Sequence, residues 1–228
     1  MKRIVKPELL DTLPPNDPRA IRSRRDLRHI NSWMRNHSIM ADALKNNSGH
    51  LAPEQITELG AGDGNFMLRL AQKMSPRWPK VNLTLLDRQK IVSTETIAAF
   101  AQLGWHAAPV VADVFDWSSS NADEVVIANL FLHHFEDGQL AGLLRKVSQH
   151  TKLFVAVEPY RFALPSLAGQ LLRLIGCNDV TRHDAVVSIR AGFAGEEISA
   201  LWPDKSNWQL TERRAGLFSH LFIARRRE

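Results

Sequence analysis

From residue 53 onward, short apolar runs alternate with longer segments of helical period, and this alternation restricts the fold more than any other feature. The runs 55–59, 81–86, 105–111, 124–128 and 153–157 have the length and apolar content of strands. The stretches 63–74, 92–103 and 137–147 read as helices. In the first, Phe66, Met67, Leu70, Ala71 and Met74 fall on one face, and Ser93 is a cap candidate for the second. The run at 124–128 is almost wholly apolar, as a strand buried on both faces requires. Strands that alternate with helices predict βαβ units and a parallel sheet. Beyond Pro159 the pattern changes. Residues 166–175 and 184–189 look helical, and 208–214 and 216–224 read as two final strands with Gly216 at a hairpin turn.

The chain is 228 residues long, 44% hydrophobic and 23% charged, which suits one α/β domain with accessory segments. Its net charge of +5 permits an anionic partner without specifying one. Cys177 is the only cysteine, so an internal disulfide, a cysteine zinc site and a CxxC redox pair are excluded. The first 18 residues are charged and proline-bearing, unlike a secretory signal. The most apolar stretch, 162–175, is broken by Pro165, Gln170 and Arg173, so no membrane span is expected. A soluble, cytoplasmic protein is the expectation. Residues 1–20 read as an irregular lead-in, and 22–45 as a helix carrying Leu27, Ile30 and Met34, closed by Asn46-Asn47-Ser48-Gly49.

Between the first strand and its helix lie Gly60, Gly62 and Gly64, each able to turn tightly or let a ligand approach the backbone. The helix start beyond them offers free amides and partial positive charge. A dinucleotide fingerprint would need a glycine at Asn65. A P-loop would need glycine and lysine at Asn65 and Phe66. Neither pattern fits. Instead Glu58 precedes the glycines as acidic-x-G-x-G-x-G. Further polar groups end the next strands: Asp87 followed by Arg88, Asp113 followed by Val114, and Asn129 followed by Leu130. The carboxyl edge of an open parallel sheet is where ligands bind.

This series resembles the motifs of class I S-adenosylmethionine-dependent methyltransferases over about residues 55–160, in the version of bacterial small-molecule enzymes acting on natural products or quinone-like rings. The resemblance implies an α/β, Rossmann-like, doubly wound, mostly parallel seven-stranded sheet with a C-terminal antiparallel hairpin. It implies a helical N-terminal lid over 1–50, and a methyltransferase domain over 51–228 with a substrate-capping insert at about 160–202. It implies S-adenosyl-L-methionine as cofactor, held by Glu58, Gly60, Ala61, Gly62, Asn65, Asp87, Arg88, Asp113, Val114, Asn129 and Leu130.

The reaction then needs alignment of donor and acceptor and removal of a proton from a hydroxyl. His133 and His134 follow the fourth strand, and histidine titrates in the useful range. Neighbouring residues point differently, so His134 is expected to be the base or substrate contact and His133 its packing partner. Two adjacent histidines without spaced partners make a poor metal set, so no metal is expected. Asn129-Leu130-Phe131-Leu132 departs from the Asn-Pro-Pro-Tyr type of amino methylation. In the basic N-terminal segment Trp33 is expected to wall the pocket, and Arg28 or Arg35 to meet an anionic group. Tyr160, Arg161, His183 and Arg190 are the expected substrate contacts of the insert. The favoured activity is methylation of a hydroxyl oxygen on a small aromatic, enolic or quinone-like molecule, by a monomer or homodimer. The alternative is an RNA or protein methyltransferase using the basic surface, although no nucleic-acid-binding module is present.

Overall fold

The computed structural model describes residues 2–49, 52–118, 124–163 and 165–227, without the side chains of 124 and 166–168. The boundary expected between residues 50 and 51 lies outside the described residues. Seven strands form one sheet: β1 (Gln55–Leu59), β2 (Val81–Asp87), β3 (Trp105–Val111), β4 (Glu124–Asn129), β5 (Thr151–Pro159), β6 (Trp208–Ala215) and β7 (Ser219–Arg226). Their order is β3-β2-β1-β4-β5-β7-β6. The first five pair in parallel, and β7 inserts antiparallel between β5 and β6. The expected mostly parallel sheet closed by an antiparallel hairpin is the observed one, with Gly216 in the turn at φ 74°.

The central strands are apolar because both faces are covered. In β4, Val125 and Ile127 face one core while Val126 and Ala128 face the other. β5 repeats this, with Leu153, Val155 and Val157 against Phe154 and Ala156. The first core is closed by α3 (Asn36–Asn47), α4 (Asn65–Met74) and α5 (Thr94–Gln102), together with Trp78 and Trp105. The second is closed by α6 (Asp137–His150), α9 (Glu197–Leu201), Trp202 and Trp208. Between α6 and α9 in the chain lie α7 (Pro165–Leu174) and α8 (Asp179–Ala191). No helix among the described residues is long and apolar enough to cross a membrane.

The N-terminal segment differs from its sequence reading. The single helix expected at 22–45 is two, α2 (Pro18–Met34) and α3, divided at Arg35, which is left-handed at φ 57°. Helix α2 starts earlier because Asp17 caps it, accepting from Arg19 N at 2.8 Å, with Pro18 at the first helical position. Residues 2–12, ending in the short α1 (Leu9–Thr12), form a strap laid across α8 rather than a free lead-in. Ile4 N donates to Arg190 O at 3.0 Å. Leu9 N and Leu10 N donate to the two carboxylate oxygens of Asp184 at 2.8 and 3.0 Å.

Candidate active site

A cleft of about 1230 Å³ opens at the carboxyl edge of β1–β4, roofed by the strap, α2 and α7. All eleven residues expected to hold the cofactor line it, as do His133, His134 and Trp33.

The glycine loop forms its floor. Gly60, Gly62 and Gly64 are all left-handed, at φ 70°, 55° and 73°. Gly60 N and Ala61 N donate to Leu86 O, which folds the loop over the end of β2. A Cβ on Gly60 would meet Phe131 Cδ2 at 2.2 Å, whereas one on Gly62 would meet nothing within 4 Å. Gly62 therefore faces open space in the cleft. Asp87 Oδ2 accepts from Gly62 N and its Oδ1 from Gln89 N, both at 2.8 Å, so the second strand end is locked to the first. Asp113 Oδ1 accepts from Phe115 N at 2.9 Å in the same manner. Glu58 is buried, and its Oε2 has no hydrogen-bond partner. Burial, reinforced by the negative Asp63 and Asp87, holds its pKa well above the usual carboxylate range. From α2, Arg28 reaches Asp63 Oδ2 at 2.8 Å, while Arg35 takes up the break between α2 and α3.

At the tip of β4 the Asn129 side chain is engaged by α2 and α3. Asn36 donates to Asn129 Oδ1 at 3.0 Å, and Asn129 donates to Asn31 Oδ1 at 3.3 Å. Leu130 is left-handed at φ 51°, and the turn it starts is held by Glu158 at the end of β5. Glu158 accepts from the amides of Phe131, Leu132 and His133. It also lies 2.8 Å from His133 Nδ1, while Glu8 of the strap lies 3.3 Å from Nε2. Burial opposes charge on the His133 ring, but the hydrogen bonds to Glu158 and Glu8 outweigh it and raise its pKa to about 9. Burial likewise opposes ionisation of Glu8, yet its bond to His133 and the nearby imidazoles bring its pKa down to about 2. His133 is thus an imidazolium between two carboxylates. His134 is different: it is partly exposed to the cleft, with Nδ1 3.3 Å from Asp11 Oδ2 of the strap.

Among the described residues Glu8, His133 and His134 form one group whose ligand atoms lie within 4.8 Å of one another.

The substrate contacts expected in the insert do not line the cleft. Tyr160 stacks on His220 beneath the Arg214 guanidinium. Arg161 is a buried brace, bonded to Gly192 O and to Glu197. His183 is exposed beside Asp184, and the exposed Arg190 gives the strap its carbonyl. The helical period explains the miss: Asp184, Ala185, Ser188 and Ile189 of α8 turn to the cleft, leaving 183 and 190 on its other side. The insert contributes apolar side chains instead, notably Phe162, Leu171 and Ile175. Sequence reasoning also passed over Glu8, Asp11, Asn31, Asn36, His37 and Glu158. Only Glu158 carried a signal, as a carboxylate closing the otherwise apolar run 153–157.

Residues 56–153 match the family described as "Methyltransferase domain". No curated protein sequence matches the chain significantly. Among solved structures, the plantazolicin methyltransferase BpumL in complex with SAH is 13% identical with a TM-score of 0.62, over 93% of this chain and 92% of that one. An O-methyltransferase-like protein from Nostoc punctiforme is 14% identical with a TM-score of 0.63, over 94% of this chain and 62% of that one. The pyocyanin biosynthetic protein PhzM is 15% identical with a TM-score of 0.54, over 77% of this chain and 51% of that one. At these identities the likeness is one of fold. Residues 56–153 thus match a methyltransferase-domain family, and they lie on a sheet with the fold of these solved methyltransferase structures.

Proposed function

We propose that this protein transfers a methyl group from S-adenosylmethionine to a hydroxyl oxygen of a small, largely apolar molecule. The observation that carries the reading is one cleft that joins a glycine-loop half to an apolar half. The first half fits the cofactor. Gly62 leaves open space where a Cβ would stand, Asp87 ends β2 in hydrogen-bond contact with it, and Asp113 lies two residues beyond β3. A carboxylate has acceptor sites to spare after binding one or two amides, so Asp87 can also take ribose hydroxyls. Glu58 supplies an orphaned buried oxygen at the same place. When bound, S-adenosylmethionine supplies an electrophilic methyl on its sulfonium and leaves as the thioether.

The second half is walled by Trp33, Phe131, Phe135, Leu171 and Ile175. Such a wall favours a ring or an alkyl chain and excludes water from the reacting atoms. BpumL and PhzM are named for natural products, plantazolicin and pyocyanin, which agrees in kind with a small-molecule acceptor. Of the two histidines, His133 has both ring nitrogens engaged, by Glu158 and by Glu8. His134 lines the cleft and takes the role of proton acceptor.

Calorimetry with S-adenosylhomocysteine tests the cofactor half. The wild type is expected to bind, and Asp87→Ala to weaken binding by about tenfold or more, or ~1.4 kcal/mol. Absence of binding by the wild type would end this reading.

A further inference from the structure

Helix α7 carries an apolar stripe that faces solvent. Leu171, Leu174 and Ile175 stand at the i, i+3, i+4 spacing of one helix face, and they are 58%, 82% and 48% exposed. The packed side of the helix is a different one. A Cβ on Gly169 would lie 3.2 Å from Val186 Cγ2, so α7 rests on α8 through Gly169. Across from the stripe, Trp33 of α2 is 67% exposed and shares a cavity of about 300 Å³ with Ile175. All four side chains also line the cleft, so the apolar patch is its rim. An exposed apolar patch continuous with a binding cleft marks a surface that meets a partner.

The charges around this rim are positive. Arg173 is exposed on α7 itself, and Arg22 donates to Gly176 O just beyond its end. Arg69 lines the same cavity as Trp33 and Ile175, and Arg182 lies with Arg22 close to Cys177. None of these four arginines has an ion-pair partner among the described residues. The acids nearby are taken up: Asp26 is buried and accepts from Asn178 N, and Asp179 faces Arg19.

We propose that this rim docks on an anionic lipid bilayer, with α7 and Trp33 in the headgroup boundary and the arginines against lipid phosphates. An interfacial helix needs an apolar face, a cationic flank and an aromatic side chain at the boundary, and the rim supplies all three. A second copy of the chain fits worse, because a two-fold contact through this patch sets the same arginines against each other. No helix among the described residues is long and apolar enough to cross the bilayer, so the contact is one of lying on it. With the mouth of the cleft on the membrane, an apolar acceptor enters from lipid without crossing water. That consequence, unlike the docking itself, rests on the proposed function.

Trp33 reports on the contact by itself, since Trp78, Trp105, Trp117, Trp202 and Trp208 are all buried. The full chain is floated with phosphatidylcholine vesicles that contain or lack phosphatidylglycerol. The wild type is expected to float with the anionic vesicles only and to be released as salt screens the arginines. Brominated acyl chains should quench its tryptophan emission, and Trp33→Phe should remove that quenching. Leu174→Glu, at the most exposed of these side chains, should keep the unfolding midpoint and weaken vesicle binding by about tenfold or more. No flotation of the wild type, equal flotation with neutral vesicles, or flotation without Trp33 quenching overturns the proposal. So does full vesicle affinity of Leu174→Glu, or a wild-type dimer by light scattering that Leu174→Glu splits. Should Leu174→Glu lower the midpoint, the quenching of Trp33 in the wild type decides. Failure of S-adenosylhomocysteine to bind would strike the cofactor reading and leave the docking result standing, and failure to float would do the reverse.

Discussion

Gly60 and Gly62 share a left-handed backbone and differ in what surrounds them. At Gly60 a Cβ would strike the Phe131 ring at 2.2 Å and its Cγ at 2.6 Å, so the whole ring must move. Gly60→Ala is expected to cost about 1 kcal/mol in backbone strain and a further ~1–3 kcal/mol in overpacking. Denaturant unfolding should show the loss. Gly62→Ala incurs only the first cost, since its Cβ enters open space. That space belongs to the cofactor half of the cleft, so S-adenosylhomocysteine affinity should fall while the unfolding midpoint moves little. Equal losses of stability in the two variants would contradict this division.

At the scale of elements, helix α2 is clamped to α8 by a buried polar knot. Asp26 accepts from Asn178 N at 2.9 Å and lies 3.2 Å from Thr181 Oγ1, which in turn lies 3.0 Å from Ser23 Oγ. Ser23, Asp26 and Thr181 are all buried. Removing one partner strands the rest in an apolar setting. Asp26→Ala is expected to destabilise the protein by about 1–3 kcal/mol. It should also raise amide exchange across 178–182, because Asn178 caps α8. Unchanged exchange there would show that α2 does not hold α8.

For the molecule as a whole, docking of the strap depends on pH through Glu8 and His133. The folded pKa of His133 is raised from 6.5 to about 9, so its contribution is complete below 6.5 and lost as pH rises through 9. The folded pKa of Glu8 is lowered from 4.5 to about 2, so its contribution is complete above 4.5 and lost as pH falls through 2. Together they hold the strap most firmly between about pH 4.5 and 6.5 and release it in alkali. Protection of the Ile4, Leu9 and Leu10 amides should follow that window, and Glu8→Gln should flatten it. The exposed basic C-terminal end rests partly on its neighbours. Arg226 lies over Trp208 and donates to Ser148 O, and Arg227 donates to Trp208 O.

What the sequence determined alone is what local period and local chemistry encode. The strands β1–β5, the cap at Ser93, the glycine loop and the polar strand ends were legible because pleat, helix turn and backbone freedom act within a few residues. The break at Arg35 was not, since no proline or glycine marks it. Helix α9 was missed for a related reason: its first amides, Ile198 N and Ser199 N, are capped by Glu212 of β6, far along the chain. The tertiary structure alone decided which carboxylate faces which histidine. Glu8 and Asp11 gain meaning only when the strap crosses α8, and Glu158 only when β5 lies beside β4. It also decided which face of α8 lines the cleft, leaving His183 and Arg190 off it, and turned Tyr160 to His220 and Arg161 to Glu197 instead. Period fixes which residues share a face, but the packing of one element on another decides what that face meets.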